Sequence, residues 1–467
     1  MTRKGLGTFP RPLLFVPAIV AVVIGIVQIA PTGAGSRRIT WDDVAPLHAY
    51  LQKRSVGGEA FGRFVDRTHA ENERRVREGD LDHLIFYLLQ SNEISRPPIE
   101  PALSAKALVE GLDEPARQAF LQGGELPLAA IPKAADERIT QGLTTLEGDV
   151  AFARRDYFRD LVRTVFPSPT ERPAGVRREY LRAMRFVYQK EFVAQRTARP
   201  ADAVAALYRK RGLSTDTAVE AGFVVREGLG IAAGLDPARR IRRVLVVGPG
   251  LDLAPRTAFN QNAPPQSYQP WAVMDALLAV GLARPGELAV IGGDINPRVV
   301  QHLKRARSTP PKLLLNSEIR EGAGVTLRAE YREYFISLGA AAGKAGIVEI
   351  RDGTLTKTVQ ISEASARALD AEHLDIVTER LDGQPFDLII ATNILPYFDD
   401  TQLALALANI ASMLGAGGLF LHNEARPLVG DLGAALGLPF EQARMVTIAD
   451  VRGGAPLADS VFLHRKR

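Results

Sequence analysis

The chain contains no cysteine. Disulfides, thiolate nucleophiles and cysteine-ligated zinc are therefore excluded, and redox chemistry gives no clue to the compartment. Histidine is scarce as well. The seven histidines are scattered, no pair has the spacing of a helical metal site, and no metal is expected. His83 stands beside Asp80 and Asp82, but the two acids read as the start of a helix. A dominant charge is also missing: 58 Lys and Arg face 53 Asp and Glu, for a net charge of +5. A nucleic-acid binder concentrates basic charge on one face, so no nucleic-acid partner is expected. The densest basic stretch, residues 172–211, is interleaved with Glu179, Glu191 and Asp202. It reads as a solvated helix face, with anionic lipid as the alternative contact.

What is present is a chain of 467 residues, long enough for two or three folded units. Three stretches differ in composition. In residues 1–38, Arg3, Lys4 and Arg11 precede an apolar run over residues 13–30. That run is at the lower limit for crossing about 30 Å of hydrocarbon. It reads as an uncleaved membrane anchor, or alternatively as a signal peptide cut near Thr32, Gly33 and Ala34. The anchor reading gives a membrane-bound protein of unresolved sidedness; the signal reading gives a secreted or periplasmic one.

Residues 39–235 read as a mostly helical domain. Thr40 and Asp43 have capping-box spacing. Leu81, Leu84, Ile85 and Leu88 recur at helical spacing, as do Leu181, Met184, Tyr188 and Phe192. Ser214, Thr215 and Asp216 read as the cap of a further helix. No catalytic motif stands out in this stretch.

Residues 236–467 change pattern. Short β-branched runs alternate with helical segments, as in a parallel sheet with crossover helices. Strands are expected at 244–247, 288–291, Phe386–Ala391 and 419–422. A strand is also expected near Ile376 and Val377, and an antiparallel pair at 445–451 and 460–464. The first strand runs into Gly248, Pro249 and Gly250, a turn that lets a ligand approach the backbone. Leu253 stands where a third glycine would complete a dinucleotide fingerprint, which tells against a nicotinamide oxidoreductase. Asp294 ends the second strand, where an acid accepts ribose hydroxyls. It follows Gly250 by 44 residues (294 minus 250), against about 20 in the simple unit, so an insertion carrying a helix over 268–282 is expected.

The stretch from Phe386 through Asn393, Tyr397 and Asp399, then Met413 to Glu424, resembles strands four and five of Rossmann-like, S-adenosylmethionine (SAM)-dependent methyltransferases. It is most similar to the chemotaxis-receptor glutamate methyltransferases. The resemblance implies a seven-stranded α/β domain with SAM as cofactor, preceded by the helical domain and the N-terminal hydrophobic helix. It implies that Gly248 and Gly250 face the methionine part, Asp294 the ribose, and Arg380 and Leu381 the adenine. Asn393 and Ile394 would line the cofactor floor, and Tyr397 would face the methyl group or substrate as the catalytic-site residue. Thr392 stands where the receptor enzymes carry arginine, so the methyl acceptor is an unassigned protein or small molecule, with a carboxylate as one candidate. The alternative is a non-catalytic membrane or envelope scaffold built on a decayed methyltransferase fold.

Overall fold

A computed structural model of the chain describes residues 35–94, 97–148, 154–253 and 263–467. The strands are β1 (Ser36–Arg38), β2 (Arg243–Val247), β3 (Ala289–Asp294), β4 (Lys312–Asn316), β5 (Val325–Leu327), β6 (Gly343–Ala345), β7 (Glu349–Arg351) and β8 (Thr354–Ile361). They continue with β9 (Leu369–His373), β10 (Glu379–Leu381), β11 (Phe386–Ala391), β12 (Leu414–His422), β13 (Phe440–Val451) and β14 (Leu457–Arg465).

The main sheet has the order β5-β13-β14-β12-β11-β2-β3-β9. β9, β3, β2, β11 and β12 run parallel, and β14 enters antiparallel to β12 and pairs with β13 as a terminal hairpin. This is an open α/β fold with a mixed sheet. Seven strands were expected and the sheet has eight; the additional one, β5, is an edge strand that the sequence did not announce. A second sheet, β4-β8-β6 with β7 also on β8, occupies the insertion between β3 and β9.

Strand periodicity explains how the sheet is covered on both faces. Val244 and Val246 join one apolar core with Leu388, Ile390, Leu419 and Leu421. Leu245, Val247, Ile389 and Phe420 point the other way, into a core shared with the helix Asp400–Met413. The first core also holds Leu84, Leu88, Phe158, Tyr180 and Met184 of the helical stretch. The described residues from 35 onward thus form one compact unit, in which the change of pattern near residue 235 is not a change of core.

Two helix expectations are corrected. Asp80 and Asp82 do not open a helix; they are buried within the 33-residue helix Gly58–Gln90. Ser214, Thr215 and Asp216 cap nothing: the next helix, Val219–Leu235, begins after Ala218 and has no side-chain cap. At Thr40 half of the expected capping box is present: its N–H donates to Asp43 Oδ2 at 2.8 Å, but the short helix Asp42–Leu47 starts after Trp41 and has no side-chain cap. Among the described residues no helix is long and apolar enough to cross a membrane. The run 13–30 lies outside the described residues.

Candidate functional site

The C-terminal ends of β2, β3, β9 and β11 converge on one cavity, where open α/β sheets place their ligands. β2 ends in Gly248 and Gly250, both at φ +66°, a backbone that side-chain-bearing residues rarely adopt. β3 ends in Asp294, and Asn296 caps the following helix Pro297–Ser308, its Oδ1 accepting from the Arg298 N–H at 3.0 Å. β9 ends at His373 and hands the chain to Leu374, Asp375 and Ile376. β11 leads through Thr392 and Asn393 to Ile394. The room it leaves for the centres of water-sized spheres is about 80 Å³.

Asp294 is buried at the centre of this arrangement. Its Oδ1 accepts from the Asn296 N–H at 2.8 Å and its Oδ2 from the Gly250 N–H at 3.2 Å. Burial nevertheless dominates and raises its pKa to about 6. Each carboxylate oxygen keeps a lone pair for a further donor.

Gly248, Gly250, Asp294, Ile394 and Tyr397 all line the cavity. Three expected residues do not. Asn393 sits at φ +61° on the exposed side, its N–H donating to Asn423 Oδ1 at 2.9 Å and its Oδ1 accepting from Asn423 Nδ2 at 2.8 Å. Arg380 and Leu381 lie on β10, which pairs with β1. Arg380 binds Ser412 Oγ at 2.8 Å and forms an ion pair with Asp43. The cause is a misplaced third strand. It is β9, Leu369–His373, and not a segment at Ile376 and Val377, so Leu374 and Ile376 form the apolar wall instead. The missed signal is the alternation of Leu369 and Ala371 with Asp370 and Glu372.

Sequence reasoning also missed the fifth wall, which comes from the helical stretch: Asn72, Val76, Leu213, Ser214 and Thr215. Asn72 Nδ2 donates to Asp375 Oδ2 at 3.1 Å. Asp375 further accepts from the Val377 N–H at 3.0 Å and the Thr378 hydroxyl at 2.8 Å, and His69 Nδ1 lies 3.2 Å away. Phe61, Val65, Asn72 and Val76 share one helical face, so a lone amide on an apolar stripe was the available clue.

Tyr397 is buried, its ring edge-on to Tyr208 at 5.7 Å. Burial raises the pKa of its hydroxyl. The phenol therefore keeps its proton near neutrality. Among the described residues lining the cavity there is no Lys, Arg or His.

No family model and no curated protein matches the chain. Solved structures do align with it. One is the N-methyltransferase NodS from Bradyrhizobium japonicum WM9 in complex with S-adenosylhomocysteine (SAH), at 13% identity over 52% of this chain and 85% of that one, with a TM-score of 0.25. Another is magnesium protoporphyrin IX methyltransferase from Synechocystis PCC 6803 with bound SAM, at 10% identity over 60% of this chain and 94% of that one, TM-score 0.29. A third is the 1,6-didemethyltoxoflavin-N1-methyltransferase of Burkholderia thailandensis, at 13% identity over 53% and 80%, TM-score 0.26.

Proposed function

We propose that the cavity binds SAM and that the chain is a SAM-dependent methyltransferase. The observation that carries this reading is the convergence of the glycine turn, Asp294 and the Leu374–Ile376 wall at the ends of adjacent parallel strands. The residues present suit that cofactor. The free lone pairs of Asp294 suit a ribose diol. Leu374 and Ile376 offer an apolar slot for a purine, and the backbone of the glycine turn borders the same space.

SAM, when bound, supplies an electrophilic methyl group on a sulfonium. The chain's own contribution is orientation and exclusion of water, because such a displacement needs alignment more than covalent help. Ile394, Phe398 and Val76 keep the cavity apolar beside Tyr397. With its proton retained, Tyr397 serves as a hydrogen-bond donor or a wall and not as a base. The carboxylate acceptor suggested by the sequence gains no support from the described lining, which carries no cation to hold an anion. An uncharged acceptor, small molecule or protein side chain, is the first class to try. In this reading the apolar run 13–30 anchors the enzyme to a membrane with the catalytic unit on the side where SAM is made.

Photolabelling tests the reading. Radiolabelled SAM, irradiated with the full chain, should label peptides containing Gly248 to Gly250, Asp294 or Leu374 to Ile376, and excess SAH should abolish the label. Labelling elsewhere, or label that SAH does not displace, would overturn it.

A further inference from the structure

The segment 212–216 crosses the mouth of the glycine turn, and glycine makes room for it on both sides. A Cβ at Gly250 would overlap the carbonyl oxygen of Thr215. A Cβ at Gly79, on the long helix, would overlap the carbonyl oxygen of Leu213. The chain here is neither helix nor strand, and it is clamped between the long helix and the turn. The side of Gly250 from which a side chain would project is in contact with Thr215.

The ties that hold this segment are largely polar. Leu213 N–H donates to the Arg75 carbonyl at 2.8 Å. Thr215 N–H donates to His83 Nε2 at 3.2 Å, and its hydroxyl donates to the Leu251 carbonyl at 2.9 Å. Asp216 is the hub. Its Oδ2 lies 3.2 Å from His83 Nδ1, and its Oδ1 accepts from the Leu253 N–H at 3.0 Å. Once the segment lifts, water can take over each such bond, which apolar packing does not allow. Ser214 of the same segment lines the cavity together with Tyr397.

We propose that residues 212–216 are a displaceable strap that competes with the cofactor for the glycine turn, with Asp216 as its latch. The proposal rests on the cavity being the SAM site. Strap release uncovers Gly250. While the strap is docked, the apparent affinity for ligand is lowered by the fraction of molecules that are open.

The test combines calorimetry with hydrogen exchange on the full chain, with SAH as the probe. SAH should accelerate exchange at the amides of Leu213 and Thr215. The D216A variant should show that acceleration without ligand and should bind SAH about tenfold more tightly, because less of the population is closed. D216N, which keeps an acceptor for Leu253, should shift both readouts in the same direction by less and serves if D216A does not fold. Wild-type binding of SAH with the strap amides unchanged or better protected, and no gain in either variant, overturns the strap while leaving the cofactor site standing. No binding by wild type or variants at millimolar SAH overturns the cofactor reading, and the strap falls with it.

Discussion

Where the sheet meets its covering helices, the side chains in contact are Val244, Leu245, Ile390, Phe420 and Leu407, all wholly buried hydrocarbon. Where the long helix and its neighbours meet the ligand end of the sheet, they are Arg75, Arg154, Asp82 and His83, buried almost as completely. Arg75 donates through Nε to the Arg211 carbonyl at 2.9 Å and through one Nη to the carbonyls of Tyr208 and Tyr397, each at 3.2 Å. Arg154 reaches the carbonyls of Ala263 and Leu253 at 3.1 and 2.6 Å. Asp82 takes Arg182 at 2.7 Å and Arg211 at 3.2 Å. Apolar packing tolerates exchange of one hydrocarbon for another, whereas each of these polar ties needs its particular partner. The core of the sheet thus tolerates exchange among hydrocarbons, whereas the junction over the cavity depends on partner-specific polar contacts.

The contrast can be broken most forcefully at Gly250. Gly250→Val places a β-branched side chain at positive φ and into the Thr215 carbonyl. It should lower stability by about 3–4 kcal/mol in urea unfolding as well as abolish SAH binding, because backbone strain and overlap add. A variant as stable as wild type would show that the turn and segment 212–216 are not in contact. Arg75→Met keeps volume but removes the donor to three carbonyls, that of Tyr397 buried, and should cost about 2–3 kcal/mol by the same measurement. A conservative Leu245→Met in the sheet should cost less than about 1.5 kcal/mol. Equal losses would erase the distinction between the two regions.

Two pH dependences sharpen it further. Asp294 has its folded pKa raised to about 6, so its contribution to stability is greatest at low pH. That contribution declines as pH rises from about 4 to about 6. Hydroxyl donors prefer the ionised carboxylate, so SAH affinity should increase from pH 5 to pH 7 and then level off. A flat profile would remove Asp294 from the site. In the sheet, His422 donates through Nε2 to His464 Nε2 at 3.0 Å, because His464 Nδ1 is committed to the Leu438 carbonyl, also at 3.0 Å. Burial lowers the His422 pKa to about 3. The unfolded chain takes up a proton that the folded chain refuses, so this stability is lost as pH falls from about 6.5 toward 3. The slope is at most about 1.4 kcal/mol per pH unit. His422→Phe should make that acid limb shallower, as followed by urea midpoints between pH 7 and 4.

The same contrast explains what the sequence revealed. β11 was legible to the residue, and β2, β12, β13 and β14 were legible to within a few residues at their ends. Their buried runs and the flanking glycines state the period without reference to partners. β9 was missed because Asp370 and Glu372 alternate with only Leu369 and Ala371, and with it the true wall at Leu374 and Ile376. The insertion was expected from the long gap to Asp294, and its helix is present as Gln269–Ala279. The second sheet, between β3 and β9, went unread. Asn72, Thr215 and Asp216 were not legible as site residues at all. Their roles depend on Asp375, Gly250 and His83, each distant in sequence, and polar contacts leave no period behind.

The central claim is that Asp294 and the glycine turn hold a SAM-class ligand. Calorimetric titration of SAH into the wild-type full chain and into Asp294→Asn, side by side at pH 7.5, tests it most directly. The account predicts saturable one-to-one binding by the wild type and a loss of about 1.5–3 kcal/mol in the variant, as when a hydrogen bond to a charged group is removed. Equal affinity in the two proteins, or no binding by the wild type at millimolar ligand, would contradict it.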